Sequence, residues 1–348
     1  MDATDGLLDA VARSRADGQP VTIGGAGSKS HLFGLGDDAV RGRLLSTAEH
    51  AGIVEYRADE LVVTVRAGTP LKELRQVLAH ERQMLPFEPP EYHGLGTIGG
   101  AVSAGLAGPG RPWRGAARDA VLGVVMINGL GERLRFGGQV MKNVAGFDVA
   151  RLQVGAWGML GLLLDVSLRV MPMPATEETR VLEIEAPEAL TRMRRWARLP
   201  LPISATAWEN GRLWVRLSGA EPAVLKAAEA IGGEEGDSAY WDALKNHSSE
   251  FFAGVGENDT LWRRHTPPAQ PVADGEGLLE WSGARRWLRL PRGQTVDGAI
   301  RFDAGYAARL ARDAGGNAVL AAYQQRLKAA FAPDGVFNPE IHCADLAA

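Results

Sequence analysis

The stretch G-L-G-T-I-G-G-A-V-S-A-G-L-A-G-P-G, residues 94–110, places seven glycines within 17 residues. This composition is atypical of a regular helix or strand, because glycine loses the most backbone entropy on folding and contributes no side-chain packing. It is typical of backbone that comes close to a ligand. A phosphate-bearing cofactor is the leading candidate, since a phosphate group needs several N–H donors close together.

The whole chain has the composition of a globular protein that is long enough for two domains. It has 348 residues, of which 45% are hydrophobic and 23% are charged. The net charge of −4 argues against binding to nucleic acid or to an anionic membrane surface. The strongly apolar runs, such as Met159–Leu164, are far too short for a transmembrane segment, and we expect a cytoplasmic protein.

The sequence contains a single cysteine, Cys343. One cysteine can form no internal disulfide and cannot build a cysteine cluster for zinc or iron–sulfur binding, so we predict no metal site. The neighbouring His342 makes a reactive thiol one interpretation of Cys343. An ordinary exposed terminal residue is the other interpretation.

A second glycine-rich loop, G-G-A-G-S-K at residues 24–29, follows a predicted strand at residues 20–23. A Rossmann motif that begins at Gly25 would need glycine at Ser30, and a Walker A loop that ends at Ser30 would need glycine at Ser28. Neither motif is present. The loop is therefore either an anion-binding nest of backbone N–H groups or a tight surface turn.

The surrounding pattern predicts alternating short strands and helices. Thr69 is the expected N-cap of a helix at Leu71–Glu81, and Leu85–Pro90 is rigid extended chain that leads into the glycine stretch. Strands are predicted at Ala120–Asn128 and Leu162–Val170, because both segments are rich in β-branched and apolar residues.

The order of these motifs is specific. T-I-G-G at 97–100 is followed by R-D-x-V-L-G at 118–123, K-N-V-A-G-F-D at 142–148 and G-x-x-G-x-L-G at 155–161. In this order the chain resembles the FAD-binding domain shared by vanillyl-alcohol oxidase and p-cresol methylhydroxylase. Within that superfamily it is most similar to the FAD-binding subunits of bacterial glycolate oxidases. The resemblance implies an α+β fold, with an FAD-binding domain of two α+β subdomains at residues 1–174.

The resemblance also implies cofactor contacts, with the first loop around the pyrophosphate, the central stretch along the pyrophosphate and flavin ring, and the third segment at the adenosine end. The implied residues are Gly24, Gly25, Ala26, Gly27, Ser28, Lys29, Pro89, Thr97, Gly99, Gly100, Ser103, Ala104, Gly105, Gly108, Gly158, Gly161 and Leu162. Many relatives carry asparagine where Gly105 stands, and Ala26 replaces a more usual glycine. We expect non-covalent FAD, because the first loop lacks the histidine or cysteine that tethers the flavin covalently in some relatives. His31, just beyond the loop, is the only nearby candidate for such a tether.

The second half, residues 175–348, predicts a smaller α+β cap domain with an antiparallel sheet. Asn210-Gly211 indicates a type I′ hairpin, and Tyr240–Phe252 is predicted as one helix. In relatives, a tail corresponding to Asp334–Pro339 folds back on the FAD domain.

The catalytic residues stay unknown. Arg263, Arg264 and His265 are candidates, because oxidation of a hydroxy acid needs a base and a cation for the carboxylate. A solvated strand end is the alternative for this basic cluster. Six tryptophans in the second half line either a flavin face or a partner surface, or they simply pack in the core: Trp208, Trp214, Trp241, Trp262, Trp281 and Trp287.

The resemblance implies a function as one subunit of a complex that oxidises glycolate to glyoxylate. Flavin-dependent 2-hydroxy-acid dehydrogenases of this superfamily carry an H-x-G-D-G-N-x-H motif, and none of the seven histidines here lies in such a motif. A second flavoprotein subunit and an iron–sulfur subunit are the implied partners, and through them the protein could sit peripherally at the inner membrane. A stand-alone oxidoreductase for 2-hydroxy acids or alcohols, and a non-catalytic flavoprotein scaffold, are the alternatives.

Overall fold

The structure is a computed structural model that describes residues 1–32, 42–139, 147–303, 306–307 and 318–342. Part of the K-N-V-A-G-F-D motif, residues 142–146, and Cys343 lie outside the described residues. None of the helices in the described ranges is long and apolar enough to cross a membrane.

The first half of the chain builds three separate sheets. Its strands are β1 (Val21–Gly24), β2 (Arg43–Ser46), β3 (Ile53–Arg57), β4 (Val62–Arg66), β5 (Gln83–Met84), β6 (Val121–Ile127), β7 (Arg133–Gly137), β8 (Leu162–Arg169) and β9 (Met171–Pro172). The main sheet is antiparallel with the order β3-β4-β8-β6-β7, β1 pairs with β2 in parallel, and β5 pairs with β9.

Helices cover both faces of this five-stranded sheet. They are α1 (Thr4–Asp17), α2 (Leu71–His80), α3 (Ile98–Ala104) and α5 (Ala117–Ala120), whereas α4 (Arg111–Arg114) contacts the sheet of the second half. Leu71, Leu74 and Leu78 recur at helical spacing and are fully buried in the same core as α3. Leu7 and Val11 of α1 pack with β1 in a second cluster, on the other side of the sheet.

The second half builds one large antiparallel sheet. Its strands are β10 (Thr176–Glu183), β11 (Ile203–Glu209), β12 (Arg212–Gly219), β13 (Glu234–Glu235), β14 (Asp259–His265), β15 (Glu276–Glu280), β16 (Arg285–Pro291) and β17 (Ala299–Arg301). The strand order is β13-β10-β12-β11-β15-β16-β14-β17. The helices are α6 (Ala186–Trp196), α7 (Glu221–Ile231), α8 (Ala239–Lys245), α9 (Glu250–Ala253) and α10 (Ala318–Phe331).

The two faces of the large sheet have different neighbours. Side chains alternate along β12, so that Leu213, Val215 and Leu217 pack against α6 and α7. The opposite face contributes to a cluster that also contains Leu106 and Trp157 of the first half. The sheet thus places one face directly over the central glycine stretch.

Three local predictions are wrong. The central stretch contains a regular helix, α3, despite its composition. Thr69 does not cap α2, because its Oγ1 accepts a hydrogen bond from Gly52 N at 2.9 Å instead. The single helix predicted at Tyr240–Phe252 is two helices, α8 and α9, and His247 between them has a φ of +55°. The division into domains at residue 174 stays a prediction.

Candidate functional site

The loop that follows β1 presents a run of free backbone donors. The N–H groups of residues 25–29 donate no hydrogen bond to any residue that the structure describes. Gly27 has a φ of +72°, and a Cβ there would meet nothing within 4 Å. Ala26 keeps a negative φ, so its side chain causes no backbone strain. Consecutive free N–H groups in such a loop form an anion-binding concavity.

Lys29 adds a cation at the end of this loop. The residue is 7% exposed, and its Nζ donates a hydrogen bond to Pro90 O at 3.0 Å. The ammonium also lies 5.7 Å from the centroid of the Tyr92 ring. Burial lowers the pKa of Lys29 to about 8, although the nearby Glu91 acts in the opposite direction. An anion in the loop would stabilise this poorly solvated charge.

The central stretch meets the loop at the start of α3. Thr97 caps α3 by accepting a hydrogen bond from Gly100 N at 3.2 Å. A Cβ at Gly25 would overlap the Thr97 side chain, so only glycine lets the loop lie this close. After α3, the N–H groups of residues 106–108 also donate to no described residue, although most of this turn is buried. Buried N–H groups are rarely unpaired, which indicates a ligand acceptor at this turn.

The third glycine segment, residues 155–161, packs on the end of α3. Trp157 N donates a hydrogen bond to Ser103 O at 2.9 Å. A Cβ at Gly105 would lie 2.9 Å from Gly155 N, which is closer than real side chains approach. An asparagine at this position would therefore push the two segments apart. Close packing against Gly155 therefore explains the glycine at position 105, independently of any contact with the flavin.

Asn338, in the C-terminal tail, joins the first and third segments. Its Oδ1 accepts a hydrogen bond from Ile23 N at 2.7 Å, and its Nδ2 donates to Trp157 O at 2.5 Å. The side chain is buried, and a Cβ at Gly158 would lie 2.5 Å from Asn338 Nδ2. Sequence reasoning noted only the turn-rich tail Asp334–Pro339 and did not single out this residue.

At some predicted cofactor residues, protein atoms already occupy the space into which a Cβ would project. A Cβ on Gly99 would lie 2.7 Å from Ala67 Cβ. One on Gly161 would lie 2.7 Å from Ile127 O. Leu162 is fully buried at the start of β8. These residues let the segments pack closely, and their contact with the cofactor stays a prediction.

Glu88 anchors the far end of the central stretch to the large sheet. A Cβ on Gly108 would lie 2.6 Å from Glu88 O, and the predicted cofactor residue Pro89 is buried next to it. The Glu88 carboxylate accepts hydrogen bonds from Gly110 N at 2.6 Å, Arg114 Nη1 at 3.1 Å and Arg216 Nη2 of β12 at 2.7 Å. This carboxylate sets the spacing between the glycine stretch and the sheet.

Strand register separates the three basic candidates on β14. Arg263 and His265 lie on one face of the strand, and β16 places Arg285 opposite His265. Arg264 projects from the other face and forms an ion pair with the fully buried Glu276. Arg264 is therefore engaged away from the glycine stretch, which corrects its grouping with Arg263 and His265.

The face that carries Arg263 and His265 touches the central stretch directly. Arg285 Nη1 donates a hydrogen bond to Ala107 O at 2.7 Å, and Trp281 Nε1 donates to Gly108 O at 3.0 Å. The His265 ring stacks on Trp281 with centroids 5.4 Å apart. Sequence reasoning included Trp281 only among six tryptophans and missed Arg285, because their position depends on strand pairing.

Electrostatics keep the histidines at this face neutral. Partial burial lowers the pKa of His265 to about 3, although part of its side chain stays accessible to solvent, and repulsion from Arg263, Arg285 and Arg111 acts in the same direction. The pKa of His247, which lies near Arg285 and Arg263, is also lowered, chiefly by burial. Burial likewise lowers the pKa of His31, with smaller contributions from His93 and Lys29. Within the described ranges, no group of His, Cys, Asp or Glu side chains could hold a metal ion.

Comparison with known proteins gives the same picture of the first half. Residues 2–137 match the FAD binding domain family. The chain is 42% identical to glycolate oxidase subunit GlcE of Escherichia coli (strain K12), over 99% of both chains. It is 30% identical to glycolate oxidase subunit GlcD of Bacillus subtilis (strain 168), over 44% of this chain and 32% of that protein.

A solved structure of alkyldihydroxyacetonephosphate synthase shares the fold, with a TM-score of 0.66 over 96% of this chain and 75% of the other. The sequence identity is 12%, so this likeness concerns the fold alone. It agrees with the predicted α+β fold. Because the likeness to GlcE extends over nearly the whole of both chains, the protein belongs to the GlcE family of FAD-binding glycolate oxidase subunits.

Proposed function

We propose that the protein is the FAD-binding subunit of a glycolate oxidase complex and contributes to the oxidation of glycolate to glyoxylate. The full-length similarity to GlcE is the observation that carries this proposal. The free N–H donors on the first loop and on the turn after α3 support it, because they suit a diphosphate-bearing cofactor.

The residues fit FAD in two respects. The nest at residues 25–29 and the buried Lys29 match the two negative charges of a diphosphate, and residues 106–108 offer further donors to a polar ring edge. When bound, FAD would supply the capacity to accept two electrons from an alcohol. We expect non-covalent attachment, because the His31 ring packs edge-on against Tyr92, with centroids 5.0 Å apart.

The protein's own groups would hold the cofactor and shield it from water. Asn338 fixes the first and third segments together, and Glu88 fixes the central stretch to the large sheet. Trp281 and Arg285 bond to the turn after α3 and cover it from the sheet side. A site closed in this way limits access of water to the reacting centre.

Electrons must then pass to other chains. The sequence has one cysteine and therefore cannot bind an iron–sulfur cluster through cysteines of its own. We propose a GlcD-like second flavoprotein as one partner, in keeping with the partial similarity of this chain to glycolate oxidase subunit GlcD. We propose an iron–sulfur subunit as the further partner that relays the electrons.

The test compares the purified chain with the chain coexpressed with its two proposed partners. We expect bound FAD in both samples, copurification of the partners, and glycolate-dependent reduction of a dye only in the complex. Dye reduction by the isolated chain would instead support a stand-alone oxidoreductase. Full activity of a complex whose FAD loop has been blocked would support a scaffold role, and a chain without any FAD would contradict the proposal.

A further inference from the structure

Arg263 is a partly buried cation that is surrounded by aromatic side chains. Its guanidinium lies among aromatic rings, 5.0 Å from the centroid of Tyr306 and 5.4 Å from that of Phe302, and it donates a hydrogen bond to the Tyr306 hydroxyl. It forms no ion pair with a carboxylate in the part of the chain that the structure describes. Because a partly desolvated charge is costly without a partner of opposite sign, this arrangement favours the binding of an anion.

Two further arginines increase the positive charge at the same place. Arg111 and Arg285 both stack on the Trp281 ring, 4.7 Å and 3.9 Å from its centroid. Glu280 forms a two-point ion pair with Arg285, at 2.9 and 2.5 Å, and so neutralises one of the three charges. We call Arg111, Arg263 and Arg285 the arginine cluster. Its excess charge is matched by no other described carboxylate in contact with it.

The cluster borders both solvent and the proposed flavin site. Arg285 bonds to Ala107 O in the central stretch, and the His265 side chain beside the cluster is accessible to solvent. The cluster is therefore open to solvent at Arg111 and His265. His265 is neutral near pH 7, so one of its ring nitrogens can accept a hydrogen bond from a hydroxyl group.

We propose that the arginine cluster binds the carboxylate of a small 2-hydroxy acid in this chain, with His265 accepting a hydrogen bond from the 2-hydroxyl. A guanidinium matches the geometry of a carboxylate, and the aromatic surroundings favour a small ligand over a highly charged one. The choice of a 2-hydroxy acid rests on the proposed function. This chain would then hold a substrate-sized acid beside its own FAD, and would not serve only as a carrier of the cofactor.

The experiment measures binding to the FAD-loaded chain by isothermal titration calorimetry and by the difference absorbance spectrum of the flavin. The ligands are glycolate, oxalate and acetate. We expect glycolate and oxalate to bind and to perturb the flavin spectrum, and acetate, which lacks a second oxygen function, to bind more weakly. Equal binding of acetate and glycolate would contradict the role of His265.

Two variants test the cluster itself. Arg263→Met and Arg111→Met should each weaken glycolate binding on the order of tenfold or more, because a charged hydrogen-bond donor is removed. Arg111 is exposed, so its replacement keeps the test valid if Arg263→Met does not fold. The matched control is Arg292→Met, because Arg292 is exposed and its guanidinium donates to the backbone oxygen of Glu257 away from the cluster, and this variant should bind glycolate normally.

The outcomes separate this proposal from the proposed function. Unchanged glycolate affinity in both cluster variants overturns the proposal, and so does a wild-type chain that binds FAD and its partners but no glycolate. A wild-type chain that lacks FAD or its partners contradicts the proposed function instead. FAD content and partner binding should stay at the wild-type level in Arg111→Met.

Discussion

Replacing Asn338 by alanine removes the side chain that connects two of the three segments of the FAD site. In the wild-type structure, Asn338 accepts a hydrogen bond from Ile23 N at 2.7 Å and donates one to Trp157 O at 2.5 Å. Asn338 is 1% exposed, so water cannot readily replace these bonds. The variant therefore leaves one backbone donor and one backbone acceptor without partners.

The size of the effect follows from these two groups. A buried polar group that loses its partner costs about 1–3 kcal/mol, so two groups lower the free energy of unfolding by about 2–6 kcal/mol. Alanine at a φ of +48° adds about 1 kcal/mol, because it tolerates the left-handed region less well than asparagine. If the displaced segments also weaken the binding free energy of FAD by about 1.4 kcal/mol, the Kd for FAD rises about tenfold.

The assay titrates apoprotein with FAD by flavin fluorescence and measures stability by urea unfolding. The matched control is Asn128→Ala, because Asn128 is also buried and bonds to Glu132 and Leu130, but in the β6–β7 turn. We expect both variants to lose stability and only Asn338→Ala to lose FAD affinity. Normal FAD affinity in Asn338→Ala, at a stability as low as that of the control, would refute the role of Asn338 in positioning the segments.

Three further predictions concern the first loop and the contact between the two halves. Gly25→Val should weaken FAD binding at least about tenfold, because its side chain overlaps Thr97, whereas Gly6→Ala, with nothing within 4 Å, should bind FAD normally; equal effects would contradict the steric argument. Lys29 has a pKa of about 8 in the fold, below its ordinary value of 10.5, so the native apoprotein releases its proton at lower pH than the unfolded chain does. Relative to Lys29→Met, the free energy of unfolding in urea should therefore rise by about 3 kcal/mol between pH 8 and 10.5. If the difference between the two proteins does not change with pH, Lys29 is not buried in the fold. Glu88→Gln should lower the free energy of unfolding in urea by about 1.5–3 kcal/mol, because it removes a charged hydrogen-bond acceptor from Arg114 and Arg216 while Glu177 still pairs with both arginines. Glu60→Gln, at an exposed ion pair, should lower it by less than about 1 kcal/mol, and equal losses in the two variants would refute the difference.

Local sequence signals predicted the elements whose conformation depends on nearby residues. Asn210 and Gly211 have φ values of +49° and +74°, which confirms the type I′ hairpin between β11 and β12. The spacing of Leu71, Leu74 and Leu78 likewise predicted the buried face of α2. In these segments the turn chemistry or the hydrophobic period already determines the backbone.

Local signals failed where a distant part of the chain competes. Thr69 has the residue type of an N-cap, but its hydroxyl is taken by the backbone of Gly52. The helix predicted through His247 is interrupted there, and the ring stacks on Phe252 and contacts Tyr92 of the first half. No local propensity contains information about these partners, because they come from other elements.

The sequence by itself determined that this chain has glycine-rich segments suited to a diphosphate cofactor, since the absence of a Cβ is a property of each residue alone. Their order along the chain was enough to recognise the FAD-binding family. Only the tertiary structure decided what each glycine meets, as when Gly25 meets Thr97 and Gly105 meets Gly155.

The same holds for the charged groups. Ile23 and Asn338 are 315 positions apart, and the arginine cluster draws on α4, β14 and β16. Strand register turns Arg263 towards the glycine stretch and Arg264 away from it, because successive side chains of a strand project to opposite faces. Which charges come together is a consequence of long-range packing, and so it could not be obtained from the residue pattern.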